Sequence, residues 1–327
     1  MATIRKRANA WQARVRRNGY PDEVKTLPTK SEAEQWARAI ESKMDRGEFV
    51  NREKSEQNTF GDVIRRYMKA VTPGKRGCLE ETIRLNATLR HRVTKLSMAN
   101  LTPEALAEYR DDRLKICQAS TVVRDLAALS SIINHARREW SFAIQNPIEM
   151  IRKPIMPPGR DRVLTQNDEI VLLHELAPTG RRNPLMRPLV VIAIETAMRR
   201  GEILGLRWEH VNLEHQTVFL PITKNGRSRY VPLSIRAVET LREMDRSPDG
   251  RVFSIGMAAM EANFLKAVRR ADLGDLHFHD LRHTAATRIA SKLPNVIELA
   301  AVTGHTSLQM LKRYYHPRAH ELAKKLG

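Results

Sequence analysis

Cysteine is nearly absent from this chain. Cys78 and Cys117 are the two among 327 residues, and they lie far apart in sequence. That argues against a disulfide framework and a cysteine-rich zinc site, and it fits a reducing compartment. Long apolar runs are missing too: no stretch reaches the roughly twenty residues that a membrane-spanning helix needs. The start, Met1-Ala-Thr-Ile-Arg-Lys-Arg7, turns basic at once and does not read as a signal peptide. Neither end carries a lipidation motif. Internal repeats, a glycine-rich nucleotide loop ending in Lys-Ser/Thr and a clustered acidic metal site are likewise lacking. Acidic residues are outnumbered, with 37 Asp and Glu against 56 Lys and Arg, a formal charge of +19. The sequence pI is near 10.4. So basic a balance favours a polyanionic partner, and with the membrane unsupported that partner is DNA in the cytoplasm.

The length allows two or three domains, and composition divides the chain into three zones. The first, residues 1–50, begins with short stretches that alternate apolar and basic residues, punctuated by Asn18-Gly19 and Pro21-Asp22. These predict a small three-stranded antiparallel sheet, and Thr29-Lys-Ser31 then opens a helix over residues 32–44. Side chains alternate faces along a strand, so Arg14 and Arg16 share the side opposite Ala13 and Val15. Arg5, Lys6, Arg7, Arg14, Arg16 and Arg17 are candidate DNA contacts. The second zone, residues 58–150, reads as all helical, with Thr59 capping a helix over 60–71 and a second helix over 79–92. Thr102-Pro103 starts a third, and residues 120–139 form a fourth with Val123, Leu126, Ala127, Ser130, Ile133 and Asn134 along one face. Its basic loop, residues 73–77, adds Lys75 and Arg76 as candidate DNA contacts. Residues 154–162 are the linker. The third zone, residues 160–327, is mainly helical with one hairpin, 217–222 paired with 229–233 around Lys224-Asn225-Gly226. The fold class is therefore multidomain: sheet plus helix, all-α bundle, then an α+β domain with a small antiparallel sheet.

Six residues of the third zone can hold and attack a phosphodiester: Arg199, Lys224, His279, Arg282, His305 and Tyr314. Singly each is ordinary. Their contexts are Thr196-Ala-Met-Arg199-Arg-Gly-Glu202, the Lys224-Asn-Gly226 turn, His279-Asp-Leu-Arg282-His283, Gly304-His305 and Tyr314-Tyr-His316. In this order they resemble the tyrosine recombinases, the phage integrase family. His279 and Arg282 are i, i+3 and share a helix face. Glu202, i+3 from Arg199, suits orienting that guanidinium or capping the helix start. The pattern of tyrosine, any residue, histidine selects Tyr314 over Tyr315 and leaves the latter for packing. Where the family commonly has Thr-Gly before the first arginine, this chain has Thr196-Ala197, and Ala197 is strained if that position needs φ > 0. His283 reads as structural.

The resemblance implies a site-specific DNA recombinase of integrase and excisionase type, from a mobile element in a bacterial host, working through a 3′-phosphotyrosine intermediate. Arg199 and Arg282 would bind the non-bridging oxygens, since each guanidinium stays charged and forks bidentately. Lys224 would protonate the departing 5′ oxygen, because a phosphotyrosine stores the bond energy for resealing. His279 would assist deprotonation of Tyr314 and His305 would bond the phosphate, though sequence does not separate these two roles. No metal, ATP or other cofactor is called for. The first zone resembles an arm-type DNA-binding domain and the second a core-binding domain, so core and arm sites on double-stranded DNA, a tetramer and accessory DNA-bending proteins are the expected partners. Residues 317–327, with Leu322, Ala323 and Leu326 at helical spacing, would pack on a neighbouring protomer. The alternatives are a host-type dimer-resolving recombinase, a catalytically silent sequence-specific DNA-binding regulator and, least favoured, a metal-dependent nuclease.

Overall fold

The computed structural model describes residues 2–47, 49, 52–223, 226, 228–293, 295–314, 323 and 326, without the side chains of 308 and 313. The chain packs as two compact units, residues 1–158 and 159–327.

The first unit opens with β1 (Ala2–Arg7), β2 (Ala10–Val15) and β3 (Glu23–Leu27), an antiparallel sheet in that order. Ala13 and Val15 are buried with Ala33, Ala37 and Met44 of α1 (Lys30–Asp45), whose first turn is capped by the Thr29 hydroxyl. The register pairs Arg5 with Gln12 and Thr3 with Arg14. Cross-strand partners share a face, so Arg5, Arg7 and Arg14 stand opposite the helix, whereas Lys6 falls in phase with Ile4. Arg16 and Arg17 lie past the end of β2. Asp22 accepts from Arg14 at 2.5 Å and from Arg16 at 2.9 Å, so both reach one carboxylate. Arg17 pairs with Asp45.

A separate core follows in the same unit, built from α2 (Glu53–Gln57), α3 (Phe60–Ala70), α4 (Cys78–Leu89), α5 (Pro103–Leu114) and α6 (Ala119–Glu139). Thr59 and Asp62 exchange hydrogen bonds at the start of α3, and each bond satisfies an amide that the helix leaves unpaired. Helix α4 ends at Leu89, short of the expected residue 92, and the Thr94 hydroxyl donates to the His91 carbonyl at 2.9 Å just beyond it. The buried stripe of α6 is Val122, Asp125, Leu126, Leu129, Ile132, Ile133 and Ala136, which shares only Leu126 and Ile133 with the expected face. The cause is Asp125. It is fully buried on that stripe, with Arg84 at 3.2 Å and Arg113 at 3.0 Å. A charge on the core face misleads a reading by apolar period. Lys75 also turns inward, bonding Glu81 at 2.7 Å and the Tyr67 hydroxyl at 2.9 Å, while Arg76 is exposed.

Residues 152–165 carry no helix or strand. The second unit then runs α7 (Gln166–Glu175), α8 (Met186–Thr196), α9 (Arg200–Leu204), β4 (Val211–Asn212), β5 (Thr217–Leu220), β6 (Arg229–Pro232), α10 (Ile235–Arg242), α11 (Met257–Arg270), α12 (Phe278–Lys292), α13 (Val296–Thr303) and α14 (Leu308–Leu311), ending in a 3-10 turn at Lys312–Tyr314. Helix α8 is apolar and buried on every side from Leu189 to Ile194, which marks a helix at the centre of a core, and α10, α11 and α12 pack around it. The expected hairpin is β5–β6, with Thr217 opposite Pro232. Strand β4 extends it to three strands, and two residues are too few for any period-2 signal. The expected C-terminal packing segment lies outside the described residues, apart from Ala323 and Leu326.

Among the described residues no helix is long and apolar enough to cross a membrane, and no group of three metal-ligating side chains gathers.

Candidate active site

Helix α12 supplies one wall of the site. Its start is held by Asp280, which is buried and accepts the His277 amide at 2.8 Å. Arg160 binds the same carboxylate at 3.0 Å and Asp275 at 3.0 Å, which ties the segment before α7 to the head of α12. From there the helix projects His279, Arg282 and His283. His279 is exposed at the cleft, while Arg282 and His283 are 5% and 7% exposed. The rings of His279 and His283, one turn apart, meet edge to face at 5.1 Å.

The chain leaves α8 through Ala197, whose φ of 51° is left-handed, as the missing glycine led us to expect. That turn matters because the Ala197 carbonyl accepts from Arg282 Nη1. For a residue with a Cβ this conformation costs about 1–2 kcal/mol. Removing the buried methyl forfeits about 0.8 kcal/mol of burial. The two nearly cancel, so Ala197→Gly is expected to change unfolding free energy by less than about 1 kcal/mol in a denaturant titration. A larger loss would show that the methyl packs better than its conformation strains.

Arg199 caps α9. The Glu202 carboxylate accepts both the Arg199 amide and its Nη1, each at 2.9 Å, so it caps the helix and orients the guanidinium together. Arg199 Nη2 reaches the Gly304 carbonyl at 3.1 Å. Arg282 Nη2 donates to the Thr303 carbonyl at 2.7 Å and approaches His305 Nε2 at 3.4 Å. Both arginines are thus anchored on the short stretch 303–305. There the Thr303 hydroxyl donates to the Leu299 carbonyl at 2.6 Å and lies 2.7 Å from His305 Nδ1. A hydroxyl has one proton to give, so Nδ1 is the donor to Thr303 and Nε2 carries the lone pair.

Tyr314 completes the set. Its ring lies 5.8 Å from that of His305 and its hydroxyl is 2.8 Å from His283 Nδ1. The nucleophile candidate is thus bonded to the histidine we expected to be structural, with His279 one turn further off. It is also 8% exposed, whereas Arg199 and His279 line an adjoining cleft of about 660 Å³ with Phe278, Ile222 and Met257. Lys224 lies outside the described residues. Sequence reasoning missed Arg229 as well, which enters the site from β6 and binds Glu202 at 3.0 Å. An arginine opening a strand gives no signal of its own.

The electrostatics are lopsided. Arg199, Arg229 and Arg282 gather around the Glu202 carboxylate, and this excess of positive charge suits an anion. Burial first, then repulsion from Arg199, pushes Arg282 down to about 10, which leaves it cationic near neutrality. Burial and the three guanidiniums push His305 from 6.5 down to about 4, and burial with His283 and Arg282 also lowers His279. Between pH 4 and 6.5 the unfolded chain therefore binds more protons than the folded one. Stability from His305 is present above about 6.5 and is lost as pH falls toward 4. Thermal melts across that range should show a steeper decline for the wild type than for His305→Gln. Parallel declines would remove His305 as the cause.

Residues 162–321 match the model of the phage integrase family. A shufflon-specific DNA recombinase of Escherichia coli is 42% identical, over 80% of this chain and 70% of the relative. A protein of Haemophilus influenzae named as a putative integrase/recombinase is 34% identical, over 97% of this chain and 87% of its own length. The chain belongs to the phage integrase family, the tyrosine recombinases. Membership makes it a site-specific DNA recombinase. The fold agrees: a lambda integrase tetramer bound to a Holliday junction superposes with a TM-score of 0.64 over 94% of this chain and 95% of that one, at 17% identity. The expected α+β architecture is therefore the family's own.

Proposed function

We propose that this recombinase cuts and rejoins DNA through a 3′-phosphotyrosine bond at Tyr314, as an integrase and excisionase. The observation that carries the reading is that the Tyr314 hydroxyl, His283, Arg282, His305 and Arg199 lie together in one subunit, in a setting that favours an anion. The Tyr314 oxygen attacks phosphorus and the P–O5′ bond breaks. The phenol proton passes to His283, its hydrogen-bond partner, in place of the His279 we first assigned. Arg199 and Arg282 bind the non-bridging oxygens, where charge grows during transfer. Lys224 gives its proton to the leaving 5′ oxygen. A phosphate brings negative charge to His305, which raises its proton affinity and turns Nε2 into a donor to the bound ester. The reverse attack by a 5′ hydroxyl reseals the strand.

Residues 1–50 serve as an arm-type domain, 58–150 as a core-binding domain and 160–327 as the catalytic domain. Arg5, Arg7 and Arg14, on the sheet face opposite α1, are the leading arm contacts, with Lys6, Arg16 and Arg17 beside them. Arg76 takes the place at the core site that we gave it jointly with Lys75. The tetramer on a junction formed by lambda integrase supports a tetramer here, and accessory bending proteins remain part of the reading. DNA affinity should fall by on the order of a thousandfold or more between 50 and 200 mM salt if six or more phosphates are contacted.

The deciding experiment uses a nicked suicide duplex carrying the recombination site, without ATP and with excess chelator. A covalent protein–DNA band, mapped to the Tyr314 peptide, is the expected result. Cleavage that the chelator abolishes would point to a metal nuclease, and binding without any adduct to a silent regulator.

A further inference from the structure

Arg229 touches no reacting atom in the proposed reaction, yet it lies between Glu202 and Gly304. Its side chain is 11% exposed, and Nη2 and Nη1 approach one Glu202 oxygen at 3.0 and 3.4 Å. That same oxygen accepts the Arg199 amide, and the other accepts Arg199 Nη1. From its other side the guanidinium packs on Gly304. A Cβ at Gly304, where φ is +68°, would fall 2.8 Å from Arg229 Nε and Nη1. The Gly304 carbonyl is the second support of Arg199. Both props of Arg199 therefore rest against Arg229.

The energetics make a purely structural role expensive. Arg229 Nε is buried without a hydrogen-bond partner among the described residues. Burial is also the main force lowering its proton affinity, against the pull of Glu202. Replacing a buried charge by an apolar side chain of similar volume is often neutral or stabilising. A charge kept in such a place needs another use, and a fixed positive charge behind the phosphate pocket is one.

We propose that Arg229 is a positioning residue for strand cleavage: it braces Glu202 and Gly304 so that Arg199 presents its fork to the scissile phosphate, and it holds positive charge against Gly304, next in the chain to His305. This deepens the catalytic reading given above and rests on it. Arg229 opens β6, five residues after Lys224 in the sequence.

The test uses the full chain with three readouts: single-turnover cleavage of the suicide duplex, DNA affinity, and the titration of His305 by NMR. Arg229→Met keeps volume and removes charge. Cleavage should slow by about ten- to a hundredfold, as small misplacements of catalytic groups do, with affinity within about threefold. The His305 midpoint should move upward, because a repelling cation has gone. Arg229→Lys should return that midpoint toward the wild-type value while cleavage stays slow. A change of packing alone predicts no such return. On an Arg199→Ala background, Arg229→Met should cost less than about a further twofold, since a residue acting through Arg199 has little left to position.

Wild-type cleavage by Arg229→Met with an unmoved His305 titration would overturn the inference. So would a full, additive loss on the Arg199→Ala background. Should Arg229→Met not fold, Arg229→Lys carries the test: slowed cleavage with the His305 midpoint near the wild-type value supports the brace, and a wild-type rate rejects it. If Arg199→Ala itself cleaves normally, the catalytic reading fails instead, and the two failures are told apart.

Discussion

Tyr314→Phe is expected to bind its DNA site as the wild type does and to yield no covalent adduct. The substitution removes one oxygen and keeps the ring, so packing against Ala286, Ala290, Leu299 and Leu311 is retained. What goes is the hydrogen bond to His283, 2.8 Å long. Leaving that nitrogen without its phenol should lower stability by about 1 kcal/mol, a small loss beside the total of a folded domain. The chemical loss is of another size. In hydrolases that share a nucleophile-and-base logic, deleting the nucleophile costs on the order of a million-fold in rate. Here no other group is proposed to form the ester, so adduct should fall below detection in a single-turnover assay, with affinity changed by less than about twofold. An undiminished adduct in this variant would falsify the assignment of Tyr314 and direct attention to Tyr315.

The contact with His283 also bears on where the phenol lies. Tyr314 is 8% exposed and bonded to His283, and it is not among the residues that line the cleft of Arg199 and His279. The turn that carries Tyr314 follows the four-residue α14, and its apolar cluster is separate from the main core around α8. The phenol and the Arg199–Glu202 pair are thus built on different elements.

Much of this was legible in the sequence because local chemistry left marks. Thr29, Thr59 and Thr102 announce helix starts through their hydroxyls. Arg199, Arg282, His305 and Tyr314 could be named together because the family resemblance orders them, and the fold then gathers them. The failures have one cause. A side chain whose partner is distant in sequence has no period to betray it. Asp125 hides on the buried stripe of α6 because Arg84 and Arg113 reach it from other helices. His283 looked structural because its partner is 31 residues further on. Arg229 meets Glu202 across 27 residues and Gly304 across a further stretch of chain. In each case burial of a charged or polar group was the decisive fact, and burial is a property of the tertiary fold.

Arg282→Lys is expected to fold, to bind DNA and to cleave about a hundred- to a thousandfold more slowly than wild type. The guanidinium serves separate segments: Nη1 holds the Ala197 carbonyl after α8, and Nη2 holds the Thr303 carbonyl at the end of α13. A planar fork does this and still presents an edge to a phosphate. An ammonium donates from a single point, so it satisfies one carbonyl and strands the other. A buried carbonyl left unpaired costs about 1–3 kcal/mol, which sets the expected drop in stability. Charge brings a second signature. The surroundings that push the arginine down to about 10 are burial and the neighbouring Arg199, and they act on a lysine in the same way. Lysine starts lower than arginine, so the variant should discharge within the range where the wild type stays cationic. Its cleavage should therefore decline with rising pH before that of the wild type does. A folded Arg282→Lys protein with wild-type cleavage at every pH would mean that neither the fork nor its fixed charge activates the phosphorus.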